Sequence, residues 1–97
     1  MILDGELIKK NGHDYLAETL NFPDYYGKNL DALYDCLCEI EADIELVNAS
    51  AVDKDIIDTF KDAASENDFL KLKMFPFAKF INKNKLATVF ILKYGRK

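Results

Sequence analysis

The chain has no tryptophan, a single histidine, two prolines, four glycines and two cysteines in 97 residues. Each scarcity removes a class of function. With His13 as the only imidazole, a histidine-based acid–base centre would need a positioned partner, and no nucleophile stands near it in sequence. His13 is therefore expected to be a solvated residue near a helix start. So few glycines leave no Gly-rich phosphate loop, and neither a zinc-protease helix signature nor a nucleophile motif occurs. Cys36 and Cys38 stand two apart on an expected helix, so they point to nearly opposite sides and can neither bond each other nor share a metal. They are read as reduced thiols, Cys36 near the core and Cys38 toward the outer face, which fits a reducing compartment. No apolar run approaches 18 residues and the N-terminus is not basic-then-apolar, so the expectation is a cytoplasmic protein without a membrane span.

The most uneven shortage is of acid. From Phe75 to Lys97 there are five lysines, one arginine and no Asp or Glu, a charge of +6, whereas the first 74 residues hold 7 Lys against 17 Asp plus Glu, a charge of −10. An acidic body repels nucleic acid and draws basic partners toward it. A chain of 97 residues with 49% hydrophobic content makes one ordinary globular domain. The division expected is a domain over 1–74 and a basic extension over 75–97 that packs on or extends it.

What is present is best organised around residues 23–38, PDYYGKNLDALYDCLC. Leu30, Leu33, Leu37 and Ile40 recur at helical spacing and should face a core, which turns Asp31, Tyr34, Asp35 and Cys38 outward. Asn29 is a favoured N-cap, Gly27 before it would allow a positive φ, and Asp31 falls in the first turn where the helix dipole favours an acid. That field has faded by Asp35, so the dipole does not account for a second carboxylate one turn later. Two acids at i and i+4 have Cβ atoms roughly 6 Å apart. They could ligate a hard cation, but Ca²⁺ takes six to eight oxygens from a dedicated loop, which is not visible.

The rest of the chain alternates element types. A strand is expected near the N-terminus, with a turn at Asp4-Gly5 and some alternation over Glu6 to Ile8. A short helix follows over about 13–22, stopped by Pro23. After the central helix, Glu39, Glu41, Asp43 and Glu45 crowd together while Ile44, Leu46 and Val47 read as a buried strand. Residues 53–66 form a second periodic helix with Ile56, Ile57, Phe60, Ala63 and Ala64 on one side and Asp62 and Glu66 on the other. Residues 69–74 alternate as a half-exposed strand. Residues 86–94 are rich in Val, Ile, Phe, Thr and Tyr and suggest an additional C-terminal strand that joins the sheet or makes a homo-oligomer. The order strand, helix, helix, strand, helix, strand implies an α/β fold: a small three-stranded parallel sheet packed on helices.

The run PDYYGKNLDALYDCL also resembles the signature of the barstar-like family, intracellular inhibitors of secreted ribonucleases such as barnase. The likeness runs without a gap through the loop YYG, Asn29, Leu30, Asp31, Ala32, Leu33, Asp35, Cys36 and Leu37, extends more weakly over residues 1–74, and includes TFKDA around Asp62. It implies the same fold and, as function, the plugging of a cationic cleft with carboxylates spaced like phosphates. By the resemblance Asp35 enters the ribonuclease phosphate site, Asp31 pairs with neighbouring basic groups, and Tyr25, Asn29, Tyr34, Cys38 and Glu39 pack around them. Asp62 falls on an assisting acid and Glu66 on a peripheral one. The implied partner is a basic, barnase-like ribonuclease of the extracellular type, with no cofactor, metal or catalytic residue. Three positions depart from the family: Tyr34 replaces a tryptophan, Lys28 an acid and Ile40 an aromatic. The alternative is a non-catalytic scaffold or a nucleic-acid-associated protein using the basic tail, although its lysines form no continuous patch.

Overall fold

The computed structural model describes residues 1–77. Its elements are β1 (Ile2–Asp4), α1 (Gly5–Asn11), α2 (His13–Leu20), α3 (Leu30–Leu37), β2 (Ala42–Val47), a 3-10 turn (Ala49–Ala51), α4 (Lys54–Glu66) and β3 (Leu70–Met74). The three strands are parallel in the order β1-β2-β3. Leu3 lies opposite Leu46, and Ile44 and Leu46 lie opposite Leu72 and Met74, so one face of the sheet is apolar. Against that face the helices place Ile8, Leu16, Leu20, Leu33, Leu37, Phe60 and Ala63, forming one hydrophobic core with Leu3, Ile44, Leu46 and Leu70. The α/β class and the parallel sheet are as the alternation of periods implied. The strand expected over 86–94 lies outside the described residues.

The largest correction concerns Glu6 to Ile8, which belong to a helix and not to a strand. Asp4 is a cap where a turn was expected: its Oδ1 accepts from the Glu6 backbone N–H at 2.9 Å. Ile8 is buried and Leu7 exposed, a difference that a run of three residues cannot assign to either period. The Asp4 N–H in turn donates to the Tyr15 hydroxyl at 3.0 Å, which joins β1 to α2. Asn48, in the left-handed region at φ 54, ends β2 and donates from Nδ2 to Asp4 Oδ1 at 3.0 Å.

Gly5 is required at this junction. A Cβ there would collide with the carbonyl oxygen of Asn48, a backbone atom that cannot swing away. Gly5→Ala is expected to destabilise the fold by about 2 kcal/mol or more, a fall in Tm of roughly 10 °C. Thermal unfolding followed by circular dichroism checks this, and an unchanged Tm would contradict the close approach.

Candidate functional site

The site is built on α3. Its first turn is closed by Asn29, whose Oδ1 accepts from the Ala32 backbone N–H at 2.8 Å and whose Nδ2 donates to the Gly27 carbonyl at 3.3 Å. The cap is the expected one, but the backbone turn beside it falls elsewhere: the positive φ belongs to Lys28 (57°) and not to Gly27. The apolar stripe also starts later than the spacing implied. Leu33 and Leu37 are fully buried, whereas Leu30 is 38% exposed, because it opens the helix beyond the rim of the core. Residues 31 and 35 are therefore turned to solvent, and both aspartates are exposed.

The helix stops at Leu37, with the Cys38 N–H donating to the Tyr34 carbonyl at 2.9 Å. Beyond it the backbone is held by a residue that the sequence reading did not single out. Asn67, at the end of α4 and buried, donates from Nδ2 to the carbonyls of Leu37 at 2.9 Å and Ile40 at 2.8 Å. The end of α3 is thus tied to α4 as well as packed against it. An Asn after an amphipathic run signals a turn, but its service to carbonyls thirty residues upstream leaves no local mark.

The loop before α3 is anchored by aromatic packing. Phe22 and Tyr26 are both buried, with ring centroids 4.8 Å apart, and the Tyr26 N–H closes a turn onto the Pro23 carbonyl at 2.9 Å. Between these anchors Tyr25 is pushed outward, 87% exposed. His13, expected to be solvated, is half-buried instead, and its Nδ1 shares a 2.6 Å hydrogen bond with the Tyr26 hydroxyl. Tyr25, Asp35 and Glu39 line one open depression of about 360 Å³, with Phe22, Cys36 and Ile40 also in its wall.

On the other flank of α3 the phenol of Tyr34 meets α4. A hydrogen bond with the Cys38 side chain holds its pKa above the usual phenol range, and burial, Cys38, Glu66 and Asp62 push the same way. Tyr34 thus feels the charge of Asp62 and Glu66 on α4, the helix packed against α3. Burial, followed by Glu39 and Asp35, pushes the Cys36 thiol up, so it stays protonated at neutral pH. Both cysteines are free.

Among the described residues no ion pair involves Asp31, Asp35, Glu39 or Asp62. Lys28, the cation nearest in sequence, is engaged elsewhere: its Nζ lies 2.8 Å from Asp14 Oδ1, and this hydrogen bond and charge lower the Asp14 carboxyl pKa. Nor do the described residues contain a group of three or more His, Cys, Asp or Glu able to hold a metal, or a helix long and apolar enough to cross a membrane.

Residues 3–75 match the family model described as Barstar (barnase inhibitor). The chain belongs to the barstar family. A Bacillus subtilis (strain 168) protein named "Putative ribonuclease inhibitor YrdF" is 72% identical over 25 residues, a stretch that makes up 26% of this chain and 28% of that relative.

The anchoring of the Tyr25 loop has a measurable pH signature. Burial, then the neighbouring Cys36, pushes the Tyr26 phenol from 10.0 up to about 12. The folded state therefore keeps this proton over a range where the unfolded chain has lost it. The stabilisation is complete below pH 10 and is lost as pH rises through about 12. Tyr26→Phe is expected to lower stability at pH 7 by about 1 kcal/mol through the lost hydrogen bond, and to flatten the decline of stability above pH 10. Urea unfolding of both proteins between pH 8 and 12 checks this; parallel declines would contradict it.

Proposed function

We propose that this chain inhibits a basic ribonuclease of the barnase type by occupying its phosphate-binding cleft with the carboxylates of α3. The observation that carries the reading is the display of Asp31 and Asp35, exposed one turn apart on a helix fixed at both ends, without a cationic partner among the described residues. Membership of the barstar family and the name of the Bacillus subtilis relative support it.

The physics is that of charge mimicry. A ribonuclease cleft must attract consecutive phosphates, so it concentrates cationic groups in a concave surface. Asp35 enters the phosphate position and Asp31 pairs with the basic groups beside it. Neither carries a bond that the enzyme can cleave. Tyr25 and Glu39, which share a depression with Asp35, close one side of the contact, and Tyr34, Cys38 and Asp62 close the other. Asn29 acts indirectly by fixing the helix start. Because α3 is held by Leu33 and Leu37, by its cap and by Asn67, little ordering is needed on binding. The acidic body also speeds encounter with a cationic enzyme, an effect that salt weakens.

The departures from the family affect the rim. Lys28 is paired with Asp14, so its charge is partly compensated before it reaches a partner. Tyr34 offers less apolar area than the tryptophan of its relatives but retains a polar tip near Asp62. These changes bear on which ribonuclease is bound more than on how. With free thiols that suit a reducing compartment, the inhibitor acts in the cytoplasm.

Titration of a barnase-like ribonuclease with the full chain is expected to abolish RNA cleavage at one inhibitor per enzyme. Asp35→Ala should weaken inhibition by about 2 kcal/mol or more, roughly 30-fold; barnase and barstar are themselves a standard case of such concentrated binding energy. Glu6→Ala, exposed on α1 and outside the proposed contact, should change it less than threefold. Equal losses from the two substitutions, or full ribonuclease activity at excess wild-type chain, would contradict the reading.

A further inference from the structure

A parallel sheet normally has both faces covered, because its crossover helices lie on them. In the order β1-β2-β3, right-handed crossovers place every connecting helix on the same face. The core agrees: Leu3, Ile44, Leu46 and Leu70 point into the layer that holds Ile8, Leu16, Leu33 and Phe60. The opposite face of the sheet carries no helix among the described residues, and only its C-terminal end, at the buried Val47 beside residues 75–77, is covered. Ile2 is 45% exposed on it and Phe69 68%, with Asp43, Lys71 and Lys73 also exposed. Its surface is concave, with a depression of about 380 Å³ between Met1, Asp43 and the two lysines. Glu41, Asp43 and Asp68 surround Phe69 at its lower end.

We propose that residues 78–97 of this same chain cover that face, with their apolar side chains on Ile2 and Phe69 and their lysines against Glu41, Asp43 and Asp68. Three observations select this occupant. The first is where the described chain ends: Phe75, Pro76 and Phe77 accept from the backbone N–H groups of Ala49, Ser50 and Asn48, at the C-terminal end of the sheet. The second is reach. The eight residues 78–85 can span up to about 26 Å, more than the roughly 23 Å from Asn48 back to Glu41 along β2. The third is composition. Ten of the 20 residues are apolar, six are Lys or Arg and none is acidic. Charge alone would also favour the acids of α3 and α4, but the sheet face offers exposed apolar side chains beside its carboxylates. The proposal does not depend on the ribonuclease reading.

The test is zero-length carbodiimide cross-linking of the full chain as an equal mixture of ¹⁴N and ¹⁵N protein, mapped by mass spectrometry. Most links from Lys79, Lys83, Lys85, Lys93 and Lys97 are expected to reach Glu41, Asp43 and Asp68 within a single isotope. Links centred on Asp31, Asp35 and Asp62, links spread evenly over the acids, or no tail links would overturn the proposal. A mixed-isotope share approaching one half, the value for links made between copies in an equal mixture, would overturn it in favour of a second copy as the occupant. Ile2→Lys should lower the yield of the expected links at least threefold while leaving the helical circular dichroism unchanged. An unchanged yield with the fold intact would contradict the apolar contact.

Discussion

Leu33 and Leu37 set the direction of everything on α3. Both are wholly buried, and a helix advances about 100° per residue, so residues two positions away from them must lie on the opposite side. Burying one pair of leucines therefore fixes where two aspartates point. The same packing holds the helix against α4, which brings Asp62 and Glu66 to the flank of Tyr34. The acidic face is thus a geometric consequence of the core, maintained by hydrophobic burial and not by any attraction among its charges.

Those charges work against local stability. Like charges at i and i+4 destabilise a helix by a few tenths of a kcal/mol, and the chain supplies no compensating cation at Asp31 or Asp35 among the described residues. The supports around them offset this: the Asn29 cap, the Asn67 side chain on the last carbonyls of the helix and the Phe22–Tyr26 anchor under the preceding loop. Local conflict held in place by strong surroundings is the usual signature of a surface shaped for a partner. The two depressions on the face of the sheet away from the helices differ from it in combining charges of both signs with exposed apolar groups.

Much of this arrangement could be read from the chain itself, because its strongest signals are periodic or local. The spacing of Leu33 and Leu37, the capping choice of Asn29 and the alternation of Leu70 with Lys71 each need only a few neighbouring residues to be recognised. Features that depend on distant partners were not legible. Asn67 serves carbonyls of Leu37 and Ile40, His13 meets Tyr26 across a helix and a loop, and Gly5 is required by the carbonyl of Asn48. The helix over Gly5–Asn11 was missed because Leu7 and Ile8 fit either period and its cap, Asp4, also reads as a turn. The left-handed conformation falls on Lys28, one residue after the glycine; at Gly27 itself an added Cβ would come within 3.2 Å of Asn29 Nδ2.

The most direct measurement of the central claim is amide chemical-shift mapping of the ¹⁵N-labelled chain during titration with a catalytically inactive barnase-like ribonuclease. The account predicts saturation at one equivalent, with the largest changes at Tyr25, at Asp31 to Glu39 and at Asp62, and little change along β1 and β3. Changes centred on the strands, or no saturable change at all, would contradict it.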